Sequence, residues 1–198
     1  MLGLSLWPFA YEIVLWSESM GFSGIDPKLM EQHKEVIDRL REQTTAGLGV
    51  LVLAVIPAVT EEFFFRGFLM QSLRRHTSTG QAILFSSILF GAFHLVTEAP
   101  LISRFLATSA LGLALGFVAW RTGSVLPGMI VHAIHNGLLV ILLHYQEKVE
   151  AWGIGVQQQR HIPMPWLAAA FLGMLTTGAV LYWKGRNSEV QPAQETLM

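Results

Sequence analysis

Apolar and polar positions alternate along this chain on the scale of whole helices. One segment, from about Ala46 to about Arg75, opens on an unbroken apolar run from Leu48 to Val59. Further apolar blocks run from Gln81 to Val96, Leu101 to Trp120, Val125 to His144 and Trp166 to Trp183. The breaks between them are short and polar: Thr77-Ser78-Thr79-Gly80, Glu98-Ala99-Pro100, Arg121-Thr122-Gly123-Ser124, and a longer stretch from Tyr145 to Pro165. Crossing the hydrocarbon core takes about 20 mostly apolar residues in a helix, and these blocks approach that length.

The first 45 residues read differently. Leu2 to Trp16 is apolar but short, interrupted by Pro8 and Glu12, with no basic stretch before it and no small-residue cleavage site. A tilted span, a re-entrant piece and the stub of a truncated helix all fit. Asp26-Pro27 is an N-cap followed by a proline in the first turn. Leu29, His33, Val36, Ile37 and Leu40 then keep a helical period while Glu31, Glu35, Asp38, Arg39 and Glu42 cover the rest of the surface. This predicts an interfacial amphipathic helix, with an ordinary solvated helix as the bland alternative. The expectation is an all-α, polytopic transmembrane helix bundle. Residues 1–45 supply the short apolar segment and the amphipathic helix, 46–144 a core of four spans, 145–183 a polar loop and the last span, and 184–198 a polar tail.

Composition agrees. Hydrophobic residues make up 52% of the chain and charged ones 14%, against about 25% charged in soluble domains; mean hydropathy is +0.47. The net charge of -1 argues against a nucleic-acid partner. No cysteine is present, which excludes disulfides, thiolate metal sites and a cysteine nucleophile. The positive-inside rule compares two faces. Arg74, Arg75, Arg121, Lys184 and Arg186 lie on one, and Arg104, Lys148, Arg160, Lys28, Lys34, Arg39 and Arg41 on the other. The second is the expected cytosolic face.

Charged and polar groups inside apolar spans cost free energy unless paired or hydrated, so each poses a functional question. Arg104 is close enough to its span end to snorkel. Three other places are deeper. Glu61 and Glu62 stand with Arg66 in one span. Glu62 and Arg66, four apart, share a face and can pair, while Glu61 is turned about 100° away and is left for chemistry. His94 follows Phe90 by one turn, and His132 precedes Asn136 by one turn. His135, about 60° round the helix from His132, makes a metal pair conceivable. Counted from the face of the Arg75–Gly80 and Arg121–Ser124 turns, Glu61 and His94 each lie about 21 Å deep and His132 and Asn136 about 12–18 Å deep, at 1.5 Å per residue. One slab holds all four. Bracing of helices by polar contacts remains the structural alternative at each place.

A carboxylate and an imidazole can activate water, and a second imidazole with an amide can hold the oxyanion formed when that water attacks a carbonyl. There is no G-x-S-x-G elbow, no H-E-x-x-H helix and no aspartate inside any of the spans from Ala46 onward. The ordered set Glu61-Glu62-x-x-x-Arg66, Phe90-x-x-x-His94 and His132-x-x-x-Asn136, with the Arg121–Ser124 turn before the last, resembles the CPBP family of CAAX prenyl endopeptidases and bacteriocin-processing (Abi) proteins over about Ala46 to His144. The resemblance implies a glutamate-dependent intramembrane protease in a bacterial-type cell membrane. Glu61 and His94 would activate water, His132 and Asn136 would form the oxyanion hole, and Glu62 and Arg66 would support them. It implies no cofactor. Zinc stays open through an alternative ligand set of His94, His132, His135 and Glu61. The implied partners are membrane lipid and a membrane-associated peptide or protein substrate. A non-catalytic membrane peptide-binding or immunity protein is the alternative. A proton-coupled transporter is disfavoured by the absence of an inverted repeat.

Overall fold

The structure, a computed structural model, describes residues 1–22, 43–97, 102–151 and 161–189, together with 32, 35, 36, 38 and 39. The described residues are helical with short connections and contain no strand. The helices are α1 (Leu2–Ser17), α2 (Ala46–Arg74), α3 (Thr79–Thr97), α4 (Ile102–Thr122), α5 (Leu126–His144), α6 (Gln146–Ala151) and α7 (Met164–Glu189).

Four stretches are long and apolar enough to cross a membrane: Ala46–Arg74, Arg104–Thr122, Leu126–His144 and Met164–Trp183. A shorter apolar helix, Thr79–Leu95, stands beside them. Leu51, Val52, Leu53, Ile56, Val59, Phe63 and Phe68 of α2 face outward, as do Phe171, Leu172 and Leu175 of α7. Water would not tolerate so continuous an apolar exterior, whereas lipid solvates it. The chain is an integral membrane protein.

The bundle closes by close approach of backbones. α3 packs along α4 in an antiparallel register that sets Ile83 against Gly116, Ser87 against Gly112, and Gly91 against Ser109. A Cβ on Gly112 would lie 3.0 Å from the Ser87 Cα. Small residues at such seams let van der Waals packing replace the hydrophobic drive that lipid removes. α2 divides its contacts along its length. Its Ala46–Glu62 part packs on α5, and its Phe63–Arg74 part packs on α3. The glutamate pair sits at that change of partner.

α2 is not a regular helix. Two stretches of widened turns, Leu51–Val55 and Phe63–Leu69, flank the regular Ile56–Glu62. Pro57 is in the first turn of the regular stretch. It has no N–H to give the carbonyl four residues back, and a widened turn just before it absorbs that loss.

The short apolar segment at residues 2–16 lies within α1. It is a continuous helix that passes through Pro8 and packs against α4, α5 and α7. At Gly3 an added Cβ would come within 2.5 Å of the Val131 carbonyl, so α1 lies directly on the α5 backbone. Glu12, which looked anomalous in an apolar run, accepts hydrogen bonds from His161 Nδ1 and the Ile162 N–H, both at 2.7 Å, and so ties α1 to the start of α7. Helix boundaries move as well. Thr79 and Gly80, expected in a turn, open α3, because Ser78 and Gln81 form a reciprocal capping box: Gln81 N–H donates to Ser78 Oγ, and Ser78 N–H to Gln81 Oε1. Gly123, with φ of 64°, makes the left-handed turn between α4 and α5. Most of the amphipathic helix expected from Asp26 to Glu42 lies outside the described residues. Within them, Glu35 lies 3.7 Å from Arg39, one turn apart.

Candidate active site

The polar residues of α2, α3 and α5 converge. Glu61 Oε2 lies 3.9 Å from His94 Nε2 and 3.8 Å from His132 Nε2. These separations are too long for direct hydrogen bonds but bring one carboxylate and two imidazoles from three helices around a common point. Glu61 is 18% exposed and His94 11%, against 1% for His132 and none for Glu62 and Arg66. The cluster thus has a reachable edge and a sealed back.

The sealed back is cross-linked. Arg66 Nη1 donates to Glu62 Oε1 at 2.6 Å, and Nη2 donates to the Gly112 carbonyl of α4 at 3.0 Å. The guanidinium lies over the Phe90 ring, 4.5 Å from its centroid, a geometry that favours a cation. Phe90 is fully buried and meets His94 edge-on at 4.6 Å and His132 at 5.7 Å. One aromatic ring therefore contacts Arg66 and both histidines.

The hydrogen bonds assign the ring nitrogens. His94 Nδ1 is 2.8 Å from the Phe90 carbonyl, which can only accept, so Nδ1 carries the proton and Nε2 faces Glu61. His132 Nδ1 is 3.1 Å from Glu62 Oε1. That oxygen already accepts from Arg66 Nη1, so it accepts here too, and His132 Nε2 faces Glu61. Both imidazoles are thus fixed from behind, a common way to set ring orientation and tautomer.

Of the six residues singled out from the sequence, five meet in this cluster. Asn136 stands one turn beyond His132 on α5, half-buried, and makes no side-chain hydrogen bond among the described residues. His135 takes a different neighbour from His132: it is buried and hydrogen-bonded to the Gly3 backbone of α1. The helical rotation between the two histidines is enough to set one against α2 and the other against α1. Among the described residues no group of three histidine, aspartate or glutamate side chains is spaced to hold a metal ion.

Three features were not read from the sequence. His132 bridges both glutamates, because its two ring nitrogens lie on opposite edges and span the divergence of Glu61 and Glu62. Phe90 packs against Arg66 and both histidines, for which its position one turn before His94 was the available signal. Gly128 makes room for Glu62: a Cβ there would lie 3.0 Å from Glu62 Oε2. Gly128 precedes His132 by one turn, so that pairing too was on the page as a glycine sharing a face with a buried histidine.

The family model of Rce1-like proteins, described as type II CAAX prenyl endopeptidase Rce1-like, matches residues 43–138. No curated protein and no solved structure matches the chain. The matched stretch contains Glu61, Glu62, Arg66, His94, His132 and Asn136, and over it the membrane core of this chain is similar to the Rce1-like CAAX prenyl endopeptidases.

Proposed function

We propose that the protein is an intramembrane endopeptidase that hydrolyses a peptide bond with water activated by Glu61 and His94. The observation that carries this reading is the convergence of His94 and His132 on Glu61, each with a ring nitrogen within 4 Å of its carboxylate, at the reachable edge of a buried cluster. Water held against the Glu61 carboxylate gives up a proton to it as the water oxygen attacks the substrate carbonyl carbon. His94 Nε2 shares the water as acceptor. The carbonyl oxygen becomes an oxyanion and takes hydrogen bonds from the Asn136 amide and from His132 Nε2 in its doubly protonated form. Collapse of the tetrahedral intermediate breaks the C–N bond, and the proton on Glu61 passes to the leaving amine. Glu62 and Arg66 remain behind the reacting atoms. The substrate is a membrane-associated peptide or protein, since the reachable edge opens within a bundle whose outer surface is lipid-facing.

Detergent-purified protein incubated with a quenched-fluorescence peptide library tests this, with Glu61→Gln as the control. The wild type cleaves and E61Q does not. Cleavage by E61Q at the wild-type rate overturns the mechanism, and peptide binding by both proteins without cleavage by either shows a non-catalytic binder.

A further inference from the structure

Glu62 does more in this fold than compensate Arg66. Its side chain is fully buried, and one oxygen, Oε1, receives both Arg66 Nη1 at 2.6 Å and His132 Nδ1 at 3.1 Å. The other oxygen packs against Gly128, where even a methyl group would come within 3.0 Å. Carboxylate, guanidinium and imidazole thus form a line from the Gly112 carbonyl of α4 through α2 to α5. The far nitrogen of that imidazole is the one that faces Glu61.

We infer that Glu62 is a positioning residue for catalysis: it holds His132 with Nδ1 protonated, so that Nε2 is the atom presented to the reacting centre. The inference rests on the hydrolytic reading of Glu61, His94 and His132. A neutral imidazole has one N–H, and without an acceptor at Nδ1 the proton moves freely between the two nitrogens. With an ionised carboxylate at Nδ1 the tautomer and the ring angle are both fixed. The same carboxylate offsets the positive charge on the ring in the doubly protonated state from which Nε2 donates to the oxyanion, a state the ring keeps through the cycle. A buried carboxylate behind an imidazole acts in this way in hydrolases that use a serine nucleophile, without accepting the proton itself. Arg66 keeps Glu62 in place by anchoring it to α4, and Phe90 packs against the guanidinium and both histidine rings. Gly128 completes the fit by leaving Oε2 its room.

Two readouts separate positioning from bracing. The first needs no substrate. Nitrogen-15 NMR of histidine-labelled protein in detergent, assigned with His132→Gln, reports whether His132 Nδ1 is protonated and hydrogen-bonded. The wild type shows a fixed Nδ1–H form. Glu62→Gln, which keeps the volume and an accepting oxygen, retains it. Glu62→Ala shows averaging of the two tautomers. The second is kinetic and counts only folded molecules. Glu62→Ala lowers kcat about 10- to 100-fold, the usual range for loss of a group that orients a functional imidazole, with KM little changed. Glu62→Gln falls between it and the wild type. If Glu62→Ala does not fold, Glu62→Gln alone decides, through a reduced kcat with the tautomer intact. A wild-type His132 signal without a fixed Nδ1–H form overturns the inference. So does an unchanged kcat per folded molecule in the variants, even if their melting temperature falls, because that is what bracing alone produces. Absence of cleavage by the wild type overturns the hydrolytic reading instead and leaves the NMR result standing.

Discussion

Replacing Arg66 by methionine is the sharpest test of how the cluster is held. The change keeps an unbranched side chain of similar reach but removes three contacts: the 2.6 Å bond to Glu62, the 3.0 Å bond to the Gly112 carbonyl and the stacking on Phe90. It leaves Glu62 fully buried and without its cation, the His132 ring being its other neighbour. Breaking a buried ion pair by removing one partner costs about 3–5 kcal/mol, most of it the cost of the stranded charge. For a chain of this size each kcal/mol lowers the melting temperature by about 2–4 °C, so R66M should melt about 6–20 °C below the wild type in detergent. Circular dichroism at fixed detergent concentration reads this. The double variant R66M/E62Q isolates the cause. If the stranded charge dominates, neutralising it restores much of the loss, and the double variant melts above R66M. Equal melting of R66M and wild type, or a double variant less stable than R66M, refutes the reasoning.

Other outcomes follow from the same geometry. His94→Ala and His132→Ala should each abolish cleavage while keeping the helical circular-dichroism spectrum; full activity in either, in the peptide assay, removes that residue from the mechanism. Gly112→Val should lose about 1–3 kcal/mol through overpacking, since its Cβ would lie 3.0 Å from the Ser87 backbone and 3.3 Å from Arg66 Nη2; a thermal melt equal to the wild type's would show that α3 and α4 separate freely. Chelator-treated protein should keep its activity; stoichiometric zinc by elemental analysis, with activity lost to chelator and restored by zinc, would replace the water-activation scheme with a metal-centred one. A C-terminal reporter active only in the cytosol should stay silent, because basic residues favour the opposite face as cytosolic; strong signal in intact cells reverses the topology.

How far the sequence reached depended on whether a feature was periodic or relational. Four of the five expected spans were legible because a bilayer demands long apolar blocks, and Ala46–Arg74, Arg104–Thr122, Leu126–His144 and Met164–Trp183 have them, whereas the block from Gln81 to Val96 falls in a shorter apolar helix. The pairing of Glu62 with Arg66 was legible because both lie on one helix, four residues apart. Depth counting brought Glu61, His94 and His132 to one level, and in the fold each histidine has a ring nitrogen within 4 Å of the Glu61 carboxylate. What depth cannot give is rotation about each helix axis. His132 and His135 have nearly the same depth and similar faces, yet one meets the glutamates and the other meets the Gly3 backbone. The role of α1 was hidden for a related reason. Its Pro8 and Glu12 lower its score as a span, but Glu12 is satisfied by a contact 149 residues away in the chain, which no local pattern records.

The position of the glutamate pair has a physical logic of its own. In hydrocarbon each buried charge must be compensated inside the protein, so a membrane hydrolase needing one ionised carboxylate faces a problem that a soluble one does not. Under the proposed mechanism two adjacent carboxylates divide the work because successive helical residues diverge by about 100°. Glu62 turns inward, where Arg66, fixed by the α4 backbone, neutralises it. Glu61 turns to the edge that remains reachable. His132 touches both, so the sealed pair sets the geometry of the open one without sharing its exposure. The widened turns that begin immediately after Glu62 shift the helix towards α3 at this point, and α2 exchanges α5 for α3 as its neighbour. That exchange is what lets residues from α3 and α5 meet on the same carboxylate. A straight helix in constant contact with one partner would bring Glu61 only one histidine.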